Sequence, residues 1–393
     1  MTWIGKPGRA PVLRASEKSL LHLLRLRGAL SKAELARLSN MSAQGVSIIV
    51  ERLLDLDLVK KGEKQRGRVG QPSTPITLNP EGAVSLGVFV DTSSTQLVVA
   101  DFQGAVRASR KVYYKSAQDG STSQSVFDAA MSMSEAVGMP LWNRRVGIGI
   151  AASEALLGSF DHAASDADAI EKKQSLARRL ESRFDVPAYC INDIRAACVA
   201  ELAIGSGYET DNTLYVNLDF SLGAGIILEG RLIGPETQLS SSLHSLPIPG
   251  REGKCVGDYA SITALRDSIE RSGLDFSDQR DADFSETREI FARWCGDAVN
   301  ALAVAIRAAS ATLSVDRVLI ASCLRDKALS GLVRELRYTL ETNSDSRIRL
   351  PEMSMETVSP HPRARGTAMV PFLKIFGMPD IAVSARAARQ HVA

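Results

Sequence analysis

A chain of 393 residues, 45% hydrophobic and 23% charged, has enough apolar material for two or three packed units and is not composed like a disordered chain. No apolar run approaches a bilayer span and no secretory leader is visible, and the five cysteines (Cys190, Cys198, Cys255, Cys295, Cys323) show no CxxC spacing. Reduced thiols in a cytoplasm are therefore expected, rather than a disulfide framework, a zinc knuckle or a membrane protein.

The net charge of +2 hides an asymmetry, because residues 1–80 hold 14 Lys and Arg against 6 Asp and Glu, and the remainder holds 33 against 39. A basic reader thus precedes an acidic body. Residues 1–11, rich in Gly and Pro, read as a loose arm. An amphipathic helix is expected over 13–27, with Leu20, Leu23, Leu24 and Leu26 to pack and Gly28 to end it. Ser31 and Glu34 form a capping box, so a second helix starts at Lys32 with Ala33, Leu35, Ala36 and Leu38 as its inner face. After the polar turn 39–41, Ser42 caps a third helix whose apolar positions are Val46, Ile49, Val50, Leu53 and Leu54.

Two short helices joined by a tight turn are either an ordinary helical hairpin or a DNA-reading helix-turn-helix, and the flanks favour the second. A strand at 57–61, a Gly-rich loop at 63–72 and a strand at 75–78 complete a winged helix. The candidates for contact with double-stranded DNA are Ser42, Ala43, Gln44, Gly45 and Ser47 at the start of the third helix. Gln44 can pair both edges of an adenine. Arg52 and Lys60 are expected on phosphates, and Lys64, Arg66 and Arg68 of the wing on phosphates or in a narrow minor groove.

The body begins with two strands over 83–100 around a turn at 91–95, and a third strand follows the turn 101–104. A helix-rich stretch leads to a strand at 146–151, a helix at 174–184 and a strand at 188–191. Asn192-Asp193 then opens a helix through Ala200, which an Asp at that junction can cap from Ile194. A hairpin pairs 213–218 with 224–228, and a helix over 287–310 precedes a strand at 318–321. Hairpins followed by helices, twice over, give an α/β fold: an N-terminal winged helix-turn-helix and a two-lobed, actin-like or sugar-kinase (ribonuclease H-like) body. The expected divisions are 1–80, 81–191 and 192–377, with a C-terminal helix over 378–393 packing on the first lobe and a dimerisation surface on the second.

These motifs resemble the ROK family of repressors, open reading frames and kinases, in its transcription-factor branch, over essentially the whole chain. Asn192-Asp193, continued by Ala196-Ala197 and Glu201, matches its Asn-Asp signature. Gly223-Ala224-Gly225-Ile226-Ile227 with Gly230 matches its glycine-rich hairpin, and Asp91-x-Ser93-Ser94-Thr95 stands at its first phosphate loop. The resemblance implies a sugar-like effector in the cleft between the lobes, held by Asn192, Asp193 and His244. Asp193 occupies the position of the base in the family's kinases.

The departures from the pattern argue against kinase chemistry. Ser93 and Ser94 replace the glycines of the first phosphate loop, Asp219-Phe220-Ser221 replaces Gly-Thr-Gly in the second, and Ala321-Ser322-Cys323 replaces the late Gly-Gly-Gly. Arg365-Gly366-Thr367-Ala368 keeps part of a small-residue pattern. A carboxylate about 4 Å from a phosphate charge costs on the order of 4 kcal/mol at an effective dielectric near 20. At the family's zinc positions, counted from His244, stand Lys254, Val256 and Ser261, with Gly257 retained and Cys255 one residue out of register. Ser241 and Thr263 replace two glutamates of the sugar site.

The expectation is a sequence-specific regulator, a repressor before an activator. It binds a sugar-like effector, has no cofactor or metal, leaves Asp193 vestigial, and forms a homodimer or homotetramer. The alternatives are a bifunctional sugar kinase that also binds DNA, and a regulator whose body only dimerises or docks a protein partner.

Overall fold

Local capping signals set the first elements of the computed structural model. It describes residues 10–63, 74–91, 93–114, 120–153, 166–205, 212–233, 242–277, 284–342, 349–356, 358 and 361–377. Helix α1 (Ala15–Arg27) starts where the Arg14 amide donates to Glu17 Oε2 at 2.8 Å, and Gly28 ends it at φ 73°. Helix α2 (Lys32–Ser39) has the expected box: the Ser31 amide donates to Glu34 Oε2 at 2.8 Å, and Ser31 Oγ accepts from the Glu34 amide at 3.2 Å. Asn40 then turns left-handed at φ 55°. In helix α3 (Ala43–Asp55), Ser42 Oγ accepts from the Gly45 amide at 3.1 Å.

Strands β1 (Val59–Lys61) and β2 (Ile76–Leu78) pair antiparallel, and Leu30 bridges to Ile76 through both backbone bonds. Leu20, Leu23, Leu35, Val46, Val50, Leu53 and Leu58 fill the space they enclose. The inner face of α2 is narrower than expected: Leu35 is buried, Leu38 half-buried and Ala33 exposed. Eight residues present only one ridge to their neighbours.

The chain divides into two compact units, Met1–Tyr208 with Val358–Ala393, and Glu209–Thr357. The boundary expected at 191/192 therefore falls at 208/209, and the winged helix shares a unit with the first lobe. In that unit β3 (Val84–Val90), β4 (Ser94–Asp101), β5 (Val106–Tyr113), β6 (Arg145–Ala152) and β7 (Ala188–Asn192) are ordered β5-β4-β3-β6-β7. β3 runs antiparallel to β4 and parallel to β6, and β6 parallel to β7. Helices α4 (Gly120–Val137), the short α5 (Met139–Trp142) and α6 (Asp166–Phe184) lie along the sequence between these strands. Val126, Ala130 and Met133 of α4 and Leu180 and Phe184 of α6 share a core with Leu86, Val88, Leu97 and Ile148. Helix α7 (Asp193–Ile204) follows β7 directly.

The second unit repeats the plan. Strands β8 (Thr213–Leu218), β9 (Leu222–Leu228), β10 (Arg231–Leu232), β11 (Arg317–Ser322) and β12 (Glu352–Met355) are ordered β10-β9-β8-β11-β12. Its helices α8 (Ile262–Glu270), α9 (Arg288–Leu313) and α10 (Asp326–Thr342) bury Leu265, Ile269, Ala298, Leu302, Leu332 and Leu336 in one core with Val216 and Val318. Strand β12 and helix α10 have no counterpart in the sequence expectations.

Helix α11 (Pro362–Phe376) returns to the first unit and covers the other face of β3 and β6. The approach is close enough to require glycine: a Cβ on Gly149 would land on the Thr367 backbone, and one on Gly366 on the Ala196 carbonyl of α7. The returning helix is thus 362–376. The expected one at 378–393 lies outside the described residues.

Candidate functional site

Helix α3 turns Val46, Val50 and Leu53 into the winged-helix core, so its opposite face is free. That face carries Ala43, Gln44, Ile48 and Glu51, all exposed, with Ser47 half-buried beside them. Ser42 spends its hydroxyl oxygen on the cap, and Gly45 packs close to it. Lys32 Nζ reaches across from α2 to Glu51 Oε1 at 2.8 Å and Ser47 Oγ at 3.1 Å. The Lys32 ammonium holds the Glu51 carboxyl below the usual range, so this acidic group stays ionised and locally neutralised.

Arg52 has a different engagement from the phosphate contact expected of it. Its Nη1 donates to Glu17 Oε1 at 2.6 Å, and that carboxylate is buried on α1. A buried carboxylate needs a cationic partner, so Arg52 joins α1 to α3. Lys60 is exposed on β1, whereas Lys64, Arg66 and Arg68 lie outside the described residues. Ile48 is not among the expected contact residues, and the adjacent Ile49, expected in the core, is half-buried.

Strand register gathers the second set of residues. Val90, Ala152 and Asn192 lie side by side where the parallel strands β3, β6 and β7 end. The carboxyl ends of parallel strands are where α/β sheets bind ligands. Asn192, rather than Asp193, is the N-cap of α7. Its Oδ1 accepts from the Ile194 amide at 2.9 Å and the Arg195 amide at 3.2 Å. Asp193 is the first helical residue, 3% exposed, and its Oδ1 also accepts from the Ile194 amide at 2.9 Å. The helix dipole favours a carboxylate there. Glu201, seven residues after Ile194 on the same helix, accepts from the Val358 amide at 3.0 Å and so ties down the chain returning from the second unit.

The turn after β3 is closed by a tyrosine. The Asp91 amide donates to the Ser94 carbonyl at 2.8 Å, and the Tyr114 hydroxyl donates to the Asp91 carbonyl at 2.6 Å. That hydroxyl also lies 3.0 Å from Thr95 Oγ1. Burial pushes the Tyr114 phenol up to about 12 against the lowering effect of Thr95, so it remains a neutral donor. Thr92 of this turn lies outside the described residues.

In the second unit, the turn Asp219-Phe220-Ser221 is closed by its own carboxylate and by the first residues of α8. The Phe220 amide donates to Asp219 Oδ1 at 3.0 Å, the Asp219 carbonyl accepts from the Ile262 amide at 2.8 Å, and the Phe220 carbonyl accepts from Thr263 Oγ1 at 2.6 Å. The Phe220 amide, of the kind a phosphate loop must present, is thus turned to a carboxylate of its own turn, and the Asp219 amide to the Ser221 carbonyl at 3.2 Å. Leu218 pairs with Ser322, which sets Ala321-Ser322-Cys323 beside that turn. The first unit's Arg365-Gly366-Thr367-Ala368 belongs to the packed face of α11, and Gly366 there meets α7.

The residues around His244 do not fit a zinc ion. Val256 is fully buried in the apolar core, Ser261 Oγ caps α8 by accepting from the Ala264 amide at 3.3 Å, and Lys254 supplies a backbone carbonyl to Ile248 at 3.0 Å. The Cys255 amide is held by Asp258 Oδ2 at 2.7 Å. Gly257 packs directly on His244. Among the described residues no three His, Cys, Asp or Glu side chains cluster as a metal site needs. His244 belongs to the second unit and Asn192 with Asp193 to the first.

With this geometry in hand, comparison with known proteins is specific. A model of the ROK family matches residues 92–342. The uncharacterized protein y4fQ of Sinorhizobium fredii is 24% identical over 377 residues, 93% of each chain. The xylose repressor of Bacillus subtilis is 20% identical over 266 residues, 66% of this chain and 69% of its own. Among solved structures, a ROK family transcriptional regulator homologous to the Escherichia coli MLC protein superposes with a TM-score of 0.70 at 17% identity, over 94% of this chain and 98% of that one. A ROK hexokinase from Thermus thermophilus gives 0.56 at 16% identity, over 74% and 99%. The hexokinase is matched almost whole by three quarters of this chain, and the regulator by nearly all of it.

Proposed function

The chain belongs to the ROK family, and from that premise we propose that it is a sequence-specific DNA-binding regulator, a repressor, whose kinase-like body binds a sugar-like ligand without phosphorylating it. The observation that carries the reading is helix α3, capped at Ser42 and anchored by Val46, Val50 and Leu53, with an outward face free for a major groove. Gln44 with Ala43, Gly45 and Ser47 reads bases. Lys60, Lys64, Arg66 and Arg68 hold phosphates or the minor groove, and Arg52 supports the domain from within. Repressors of the same family, such as the xylose repressor, favour this reading over an enzyme.

Asn192, Asp193 and His244 are the proposed ligand contacts. Asp193 has a place to act as a base, but phosphoryl transfer is mostly positioning and charge neutralisation of a nucleotide. The Asp91 turn is tied to Tyr114 and the Asp219 turn to its own carboxylate, which argues against a bound triphosphate. One winged helix covers a half-site, so a homodimer or homotetramer on a pseudo-palindromic operator follows.

Selection of genomic fragments by the full chain, followed by footprinting, tests the regulator: protected inverted repeats are expected, and no enrichment of any fragment would defeat it. Incubation with ATP and hexoses or amino sugars tests the other half. No phosphorylation is expected, and phosphorylation abolished by Asp193→Asn would overturn it.

A further inference from the structure

Ile48 is 65% exposed in the middle of α3, on a helix that has three well-buried apolar residues to pack with. At about 100° per residue, Ile48 lies almost diametrically opposite the line through Val46, Val50 and Leu53. Gln44, four residues earlier, stands on the same outer ridge. The neighbouring Glu51 is drawn towards α2 by Lys32, which removes its charge from the space in front of Ile48. The result is a branched apolar side chain at the crest of the reading face, next to an amide. Nothing in the domain's own folding requires it there.

We propose that Ile48 is a specificity-determining residue that reads thymine through its 5-methyl group. This deepens the regulator reading and rests on it. The thymine methyl is the apolar group that base edges present in the major groove, and an aliphatic side chain is its natural partner. Cytosine puts an amino group on the same edge, and burying that group against isoleucine leaves a donor unpaired. The i, i+4 spacing separates Gln44 and Ile48 by about 6 Å along the helix, a little under two base-pair steps. The half-site should therefore hold a thymine within about two steps of the base that Gln44 reads.

The test uses the full-length protein and its selected operator, with each thymine of the half-site replaced in turn by deoxyuridine, which removes only the methyl. For wild type, one position should lose affinity by roughly threefold to tenfold, the scale of one buried methyl contact. Ile48→Ala should bind the thymine and uracil operators equally, near the wild-type level on uracil. Its melting temperature should match wild type, because the side chain is exposed, and its salt slope should be unchanged, because no counterion is released. Gln44→Ala should keep the methyl effect. Equal wild-type affinity for every uracil operator, or the same loss in wild type and Ile48→Ala, would overturn the role of Ile48 while leaving DNA binding intact. A chain that selects no DNA sequence would overturn both.

Discussion

His22 shows at the scale of one residue what it costs to bury a titratable side chain. Its imidazole is buried on α1, and burial, aided by the Arg25 guanidinium, pushes it down to about 4 from an ordinary value of 6.5. The folded chain therefore keeps it neutral at a pH where the unfolded chain protonates it. The sign follows: its stabilisation is complete above about pH 6.5 and is lost as pH falls towards about 4. Between about pH 7 and pH 5 the loss should be on the order of 2 kcal/mol. Urea unfolding at the two pH values checks this, and His22→Gln should flatten the dependence. His361, lowered in the same direction by its own burial, accounts for a residual slope. An equally steep dependence in His22→Gln would reject the assignment. Single residues were legible where they obey a local rule: Ser31 with Glu34, and Ser42 three residues before Gly45. Asn192 rather than Asp193 caps α7 because the strand ends one residue later than expected. The bond from Arg52 to Glu17 was not legible, because the two residues lie 35 positions apart.

Among the elements, α1 has two jobs, since it packs on α2 and α3 and also against α7. Arg25 lies 5.0 Å from the Phe102 ring and 5.8 Å from that of Phe372 on α11, and its Nη1 has no hydrogen-bond partner among the described residues. Burial pushes the guanidinium down to about 10 against the pull of Asp101. Attraction to the rings and desolvation oppose each other, and the volume of the side chain decides. Arg25→Ala leaves a void between the rings and should cost about 2–3 kcal/mol. Arg25→Leu fills it without the charge and should stay within about 1 kcal/mol of wild type. Calorimetry of both variants tests the account, and equal losses would mean that the cation itself holds the domain. Helix α11 has no counterpart in the sequence expectations, and its Pro362, Gly366 and Pro371 are poor helix formers in isolation. In the structure Pro362 occupies the first turn, where no amide partner is needed, and Gly366 is demanded by contact with α7. Helix α11 packs on α7 and carries Phe372, one of the two rings beside Arg25, so it joins α7 to α1 through one packed element.

Across the whole molecule, near-continuous apolar runs located both hairpins and the parallel strands, because strands buried on both faces of a sheet are apolar along their whole length. The repeated strand order did not show, since topology is preserved while side chains change. Nor did the closure of the two phosphate turns, where Tyr114 lies about twenty residues from Thr95 and Thr263 more than forty from Phe220. The wing, where Arg66 and Arg68 stand, remains a sequence expectation. No helix among the described residues is long and apolar enough to cross a membrane. The expected even oligomer can be read by light scattering on the operator complex, where a one-to-one complex with full affinity would contradict it.

The most direct test of the account is anisotropy titration of the selected operator and of random DNA at fixed salt, in wild type and Gln44→Ala. Wild type should prefer the operator by at least roughly a thousandfold. Gln44→Ala should lose roughly tenfold to a hundredfold of that preference and keep its affinity for random DNA. Equal binding of both DNAs by wild type, or an unchanged preference in Gln44→Ala, would contradict the claim that α3 is the reading helix of a transcriptional regulator.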